Sequence, residues 1–119
     1  MLIKIIEPDF IFENESGKLV QLVREGWKQF NVITSFAGSK RGNHFHKYNE
    51  EGFFVIEGSF TLTVDHKEES ETYTFRSGDM FLIPAYVNHS FEFLEDTTLV
   101  SMYSNGVELS DTEKDIWSD

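Results

Sequence analysis

Two histidines stand one residue apart in the stretch RGNHFHKYNEEG (41–52), and two adjacent glutamates follow them. A third histidine lies at position 89, in PAYVNHSFEF (84–93), and the chain has only four. On a strand, successive side chains point to opposite faces, so His44 and His46 project together and Phe45 projects away from them. If the next strand starts near Glu50 or Glu51, one of those carboxylates reaches the same face. His89 shares a face with the apolar Phe91 and Phe93, while Glu92 points outward, so His89 faces the interior. An uncharged imidazole at the edge of an apolar core is a good metal ligand and otherwise an awkward group to bury. Three imidazoles and one carboxylate suit Zn²⁺, Fe²⁺, Mn²⁺, Ni²⁺ or Cu²⁺, and suit Ca²⁺ or Mg²⁺ poorly. The competing reading is that these histidines hydrogen-bond one another and nearby backbone. The fourth, His66, lies in the acidic stretch HKEESE (66–71) and reads as a surface residue at a hairpin tip.

The elements that must position these residues are short. Apolar runs rich in Val, Ile, Thr, Phe and Tyr occur at 2–6, 18–23, 27–36, 51–58, 59–65, 71–76, 80–84, 89–95 and 97–103. Their alternation and composition read as strands. EGS (57–59), DHKEES (65–70) and RSGD (76–79) read as hairpin turns. No segment has a convincing helical period, apart from one turn's worth in DTEKDIW (111–117). About nine short strands with evenly spaced turns predict an all-β antiparallel sandwich or barrel. Phe53, Phe54, Val55 and Ile56 are apolar on both faces of one strand, so something must cover the outer one. The candidates are the N-terminal strand or a second subunit, and a homodimer is the expectation.

At 119 residues the chain is one domain, and with 39% hydrophobic and 15% aromatic residues it can bury a core. Ten basic against 21 acidic side chains leave a net charge of −11, which argues against nucleic-acid and anionic-membrane partners. The acidic tail 108–119 reads as a solvated surface segment. Against this background SKRGNHFHK (39–47) is a local basic island. No apolar run approaches a membrane span, the start MLIKIIEPDF is unlike a secretory signal, and cysteine is absent. A cytoplasmic location is the expectation.

The same residues resemble the cupin pattern. Gly38, five residues, His44, one residue, His46, four residues, Glu51, six residues and Gly58 complete its first motif. Gly78, five residues, Pro84, then Tyr86 and His89 follow the second, with Tyr86 in place of its second glycine and Phe93 in place of its asparagine. The resemblance covers about half of the chain, motif one at 38–58 and motif two at 78–93, within a single cupin domain at 1–119. It implies a double-stranded β-helix, the cupin jelly roll, and selects Glu51 over Glu50, so that His44, His46, Glu51 and His89 form the implied metal set.

A narrower resemblance lies in QFNVITSFAGSKRGNHFHK (29–47), where Gln29, Asn31, Ser35, Gly38, Arg41, Gly42 and His44 fall in the register of the dTDP-dehydrorhamnose 3,5-epimerases. RGNHFHK is also similar to the WxcM-like 3,4-ketoisomerases and to the cupin domain of capsular-polysaccharide epimerase/reductases. These epimerases usually carry Gln where this chain has His46.

The resemblance implies a metal-binding cupin that acts on a nucleotide-linked sugar in polysaccharide biosynthesis, by epimerisation or keto-isomerisation. A divalent transition metal (Zn, Fe, Mn or Ni) would polarise the sugar carbonyl. His44 would be the base of a metal-free version, and Tyr86 or another tyrosine would return the proton. Arg41, joined by Lys47, would pair with diphosphate, and Gln29 and Asn31 would contact the sugar. Two alternatives stand beside this: a non-catalytic small-molecule-binding or regulatory cupin, and a metal-dependent dioxygenase.

Overall fold

A computed structural model describes all residues, Met1–Asp119. It contains eleven strands and no helix: β1 (Lys4–Ile6), β2 (Phe10–Asn14), β3 (Gly17–Gln21), β4 (Gln29–Ser35), β5 (Lys40–His44), β6 (Glu51–Glu57), β7 (Ser59–His66), β8 (Glu69–Arg76), β9 (Met80–Ile83), β10 (Asn88–Phe93) and β11 (Thr97–Tyr103). All pairings are antiparallel. One sheet runs β1-β9-β6-β11-β4, a second runs β5-β10-β7-β8, and β2 pairs only with β3. This is the all-β antiparallel architecture that the strand pattern predicts, arranged as the jelly roll that the cupin resemblance implies. The segment 111–117 forms bends and two isolated bridges, at Lys114 and Trp117, with no helical turn.

The core lies between the two larger sheets. Phe60, Leu62 and Val64 alternate along β7 and are fully buried, while Thr61 and Thr63 between them are half-buried. Phe60 packs at ring-centroid distances of 5.3–6.1 Å against Phe75, Phe81, Phe91 and Phe93. Phe75 and Phe81 stack at 4.2 Å. Burying each such side chain stabilises the fold by about 1.5–3 kcal/mol. This aromatic slab reaches the histidines through Phe91, whose ring lies edge-on to that of His89 at 6.2 Å.

Two of the three expected hairpins are corners. Residues 57–59 carry the chain from β6 in one sheet to β7 in the other, and 76–79 carry it back from β8 to β9. The first corner needs Gly58, whose φ is +98° and whose missing Cβ leaves room for Asp96 O, 2.6 Å from where that atom would sit, and for Thr97 Oγ1. Only 65–70 is a hairpin, closing His66 on Glu69 across Lys67 and Glu68, with Lys67 at φ +57°. Turn chemistry marks a reversal and does not say which sheet the next strand joins.

On β6, Phe53 and Val55 face the core, Phe54 is half-buried and Ile56 is exposed. The N-terminal strand does not cover that outer face, because β1 pairs with the edge strand β9 and extends the sheet sideways. Trp27 reaches over part of it, beside Gly52 and Met102. Strands β2 and β5 lie outside the nine expected runs.

Candidate functional site

His44 ends β5 and His89 lies on β10, directly opposite it in the pairing. His46 follows one bridge residue later, and Phe45 turns to the other side to stack on Tyr86 at 6.3 Å. Glu51 opens β6. The expected convergence is therefore present: the three imidazoles lie with ring centroids 4.7–5.2 Å apart. One ring nitrogen from each falls within 4.8 Å of the others.

Glu51 joins this group from below. Its Oε1 is 2.9 Å from His46 Nε2 and 3.5 Å from His89 Nε2, and its Oε2 accepts from Ser101 Oγ at 2.7 Å. His46 Nδ1 donates to the carbonyl of Asp115 at 2.6 Å, and His89 Nδ1 donates to the carbonyl of Val87 at 3.1 Å. A carbonyl only accepts, so each Nδ1 carries the hydrogen and each Nε2 turns to the centre. His89 Nε2 is buried without a hydrogen-bond partner, since the 3.5 Å contact lies at the limit of one.

Burial alone would raise the Glu51 carboxyl, but the hydrogen bond from His46 and the close approach of the His89 and His46 rings hold it down at about 2. Burial would lower His46, and its hydrogen bond to Glu51, with the charge of that carboxylate, raises it instead. His44 is lowered to about 4, first by burial and then by the neighbouring His89 and His46. At neutral pH His44 is an uncharged imidazole.

The donor set fits a transition metal. Three imidazoles and an ionised carboxylate, all turned to one buried point, are the ligands such an ion takes, and an orphaned Nε2 at that point is costly unless something binds it. The residues that would hold the ion are His44, His46, His89 and Glu51.

A cavity of about 210 Å³ opens from this point. His44, Glu51, His89, Tyr103 and Arg41 line it, with Phe53, Phe91 and Phe93 forming its apolar wall. The Arg41 guanidinium is anchored by Nε to Ser35 Oγ at 2.7 Å and by Nη2 to Thr34 O at 3.1 Å, and the residue itself is exposed at the rim. Tyr103 sets its ring edge-on to His46 at 5.2 Å, and burial, helped by the charge of Glu51, pushes its phenol up.

Other expected site residues lie elsewhere. Tyr86 is half-exposed on the far side of Phe45, in a surface depression with Asp65, His66 and Lys67, and does not line the cavity. Its φ of +71° turns the side chain outward. Lys47 lays its ammonium over the Trp117 ring at 3.8 Å. Gln29 Oε1 accepts the Val107 N–H at 2.8 Å. Asn31 lies opposite Ser101 in the strand pairing, half-buried, outside the cavity lining. Sequence reasoning missed Tyr103, Ser101 and Asp115. The alternation of TTLVSMY puts Leu99, Ser101 and Tyr103 on one face, and that was an available signal for the first two.

The family model described as the cupin domain matches residues 33–104. No curated protein matches the sequence. Solved structures are similar across nearly the whole chain. The TDP-quinovose 3,4-ketoisomerase from Campylobacter jejuni matches with a TM-score of 0.82 at 17% identity, over 98% of this chain and 92% of its own. A variant of the 3,4-ketoisomerase from Thermoanaerobacterium thermosaccharolyticum, solved with TDP-4-keto-6-deoxyglucose, matches at 0.79 and 18%, over 99% and 88%. The dTDP-4-dehydrorhamnose 3,5-epimerase from Sulfolobus tokodaii matches at 0.73 and 21%, over 87% and 70%. At these identities the likeness shows the fold.

Proposed function

The chain belongs to the cupin family, and we propose that it is a metal-binding member acting on a nucleotide-linked sugar, by epimerisation or keto-isomerisation, in polysaccharide biosynthesis. The observation that carries this reading is the orphaned His89 Nε2, buried among two further imidazoles and a carboxylate at the floor of a small cavity. A divalent transition metal bound there would supply a positive charge beside the sugar carbonyl.

The chain's own residues do the rest in this proposal. Pockets for drug-sized ligands run from about 300 Å³ upward. A cavity of about 210 Å³ suits one sugar ring and leaves the nucleotide outside. Arg41, held in place by Ser35 and Thr34, sits at the rim where the diphosphate would emerge. It offers a local cation on a protein of net charge −11. The phenylalanine wall excludes water from the reacting carbons. Tyr103, in the cavity, is the proton donor in place of Tyr86, because a phenol pushed up by burial stays protonated at neutral pH.

A second reading has its own observation. His44 lines the cavity and is uncharged at neutral pH, so in a metal-free protein it would take the α-proton itself. The two readings exclude each other at His44. The protein would work in the cytoplasm as a homodimer, joined through the exposed apolar face of the five-stranded sheet.

The test is elemental analysis of the purified protein, followed by incubation with nucleotide-linked 4-keto sugars in D₂O and mass spectrometry. Stoichiometric metal and uptake of deuterium next to the ketone are expected. Exchange without metal would favour the second reading. Tight binding with no exchange from any sugar would identify a binding module, and oxygen uptake with bound iron a dioxygenase.

A further inference from the structure

The C-terminal segment, expected to be a solvated tail, folds back onto the site. Asp115 N donates to Val107 O at 2.7 Å, and Trp117 and Phe45 exchange backbone hydrogen bonds at 3.0 and 2.8 Å. Asp115 is fully buried and takes part in none of the salt bridges. Its carboxylate instead takes four N–H donors. Oδ1 accepts Lys47 N at 2.8 Å and Trp117 Nε1 at 2.7 Å. Oδ2 accepts Tyr48 N at 2.9 Å and Asn49 Nδ2 at 2.8 Å. Asn49 Oδ1 in turn accepts the N–H groups of Asn105 and Gly106.

A buried carboxylate is costly unless its lone pairs are filled, and these are. Three of the four donors belong to the residues immediately after His46. The same Asp115 offers its own backbone carbonyl to His46 Nδ1 at 2.6 Å, and His46 O accepts from Tyr86 N at 2.7 Å. One residue thus pins the chain that follows His46 and the far side of its ring.

We propose that residues 107–117 are a strap whose Asp115 positions His46, holding the hydrogen on Nδ1 and aiming Nε2 at the centre shared with His44, His89 and Glu51. Asp115 touches neither the cavity nor a reacting atom, and acts only through His46. The proposal rests on His46 being a site residue, and its test separates the two claims.

The strap is tested with Asp115→Ala and Trp117→Phe, the second of which removes a single donor to the carboxylate. Proton–nitrogen NMR of the metal-free protein reads the His46 ring N–H directly. In the wild type the Nδ1–H, hydrogen-bonded and sheltered, gives a slowly exchanging signal. In Asp115→Ala that signal is lost to exchange with water. Zn²⁺ affinity, measured by chelator competition, falls by about 10–100-fold, the range found when a partner orienting a ligating histidine is removed. Trp117→Phe gives a smaller loss of both and remains folded by circular dichroism, so it carries the test if Asp115→Ala does not fold. A persistent Nδ1–H signal with wild-type Zn²⁺ affinity in a folded variant overturns the proposal. If the wild type binds no Zn²⁺ but the variant still loses the Nδ1–H signal, the strap stands and the metal reading falls.

Discussion

His89 Nε2 lies 3.5 Å from Glu51 Oε1, and no other polar atom reaches it. A buried, unpartnered nitrogen costs about 1–3 kcal/mol, so His89 weighs against the stability of the metal-free barrel, and the proposed metal role is what would offset that cost. His89→Leu removes that group and leaves a side chain of similar bulk beside Phe91. The expected outcome is loss of stoichiometric metal with an unchanged or raised melting temperature in chelator. Calorimetry and elemental analysis check it. Retained metal, or a melting temperature several degrees lower, would count against this account of the site.

The histidines predict an uncommon pH profile for the metal-free protein. His44 is held at about 4 by burial and by its His89 and His46 neighbours, whereas in the unfolded chain it titrates near 6.5. Between those values the unfolded state binds the extra proton, so stability falls as pH drops from about 6.5 to 4. Glu51 acts in the same direction lower down: its contribution is present above the ordinary carboxylate range and is lost as pH falls toward 2. His46 acts oppositely. Its raised value gives stability that is complete below 6.5 and is lost as pH rises through its folded titration. Urea midpoints in chelator should therefore peak near pH 6.5. His44→Asn should flatten the acid side, and a profile that climbs steadily toward pH 4 would sink the assignment.

Gly42 faces Ser90 in the pairing of the two strands that carry His44 and His89. Its φ is +91°, and a Cβ there would stand 2.7 Å from His89 O and 3.2 Å from Ser90 Cα. The β5–β10 register also shifts between His89 and Ser90, next to this contact. Gly42→Ala must relieve both the clash and the backbone strain, costing about 1–3 kcal/mol for the strain alone. Because the relief moves β5 away from β10, Zn²⁺ affinity should fall by at least about tenfold even where the variant remains folded at 20 °C. Wild-type affinity in Gly42→Ala would show that the spacing of the two strands does not set the site.

How much of this was legible in the sequence varies with the kind of interaction. The alternation of SFTLTVD and NHSFEF places Phe60, Leu62, His89 and Phe91 inside without ambiguity, because one face of each strand is apolar. The same two-residue period placed His44 and His46 together. The corners at Gly58 and Gly78 could not be told from hairpins, since the sheet that the next strand joins is decided by long-range pairing. Strand β5 was hidden by its composition, KRGNH, which has no apolar residue. Asp115 was invisible for a different reason. It meets His46 across 69 residues through a backbone carbonyl, a group every residue has, so no side-chain pattern announces it. Tyr86 was drawn into the site by the family spacing, but its positive φ and its stacking on Phe45 take it outside.

The outer face of the five-stranded sheet predicts an interface. Val32 is 71% exposed, Phe30 54% and Ile56 45%, and Phe54 and Val100 lie beside Val32 along the same cross-strand row. The β2–β3 hairpin adds Phe10, Ile11, Phe12 and Leu19, all exposed, on a ribbon that pairs with no other strand. A lone two-stranded ribbon is marginal in water, so these two apolar surfaces call for a partner, and a second copy is always at hand. A stable pair buries about 800 Å² on each side. Light scattering at about 10 μM should give twice the chain mass. Val32→Glu places a carboxylate on each copy in the middle of that face, where the pair of charges would have to be desolvated together, and should yield a folded monomer. A wild-type monomer at that concentration, or a Val32→Glu dimer of unchanged affinity, would remove this face as the contact.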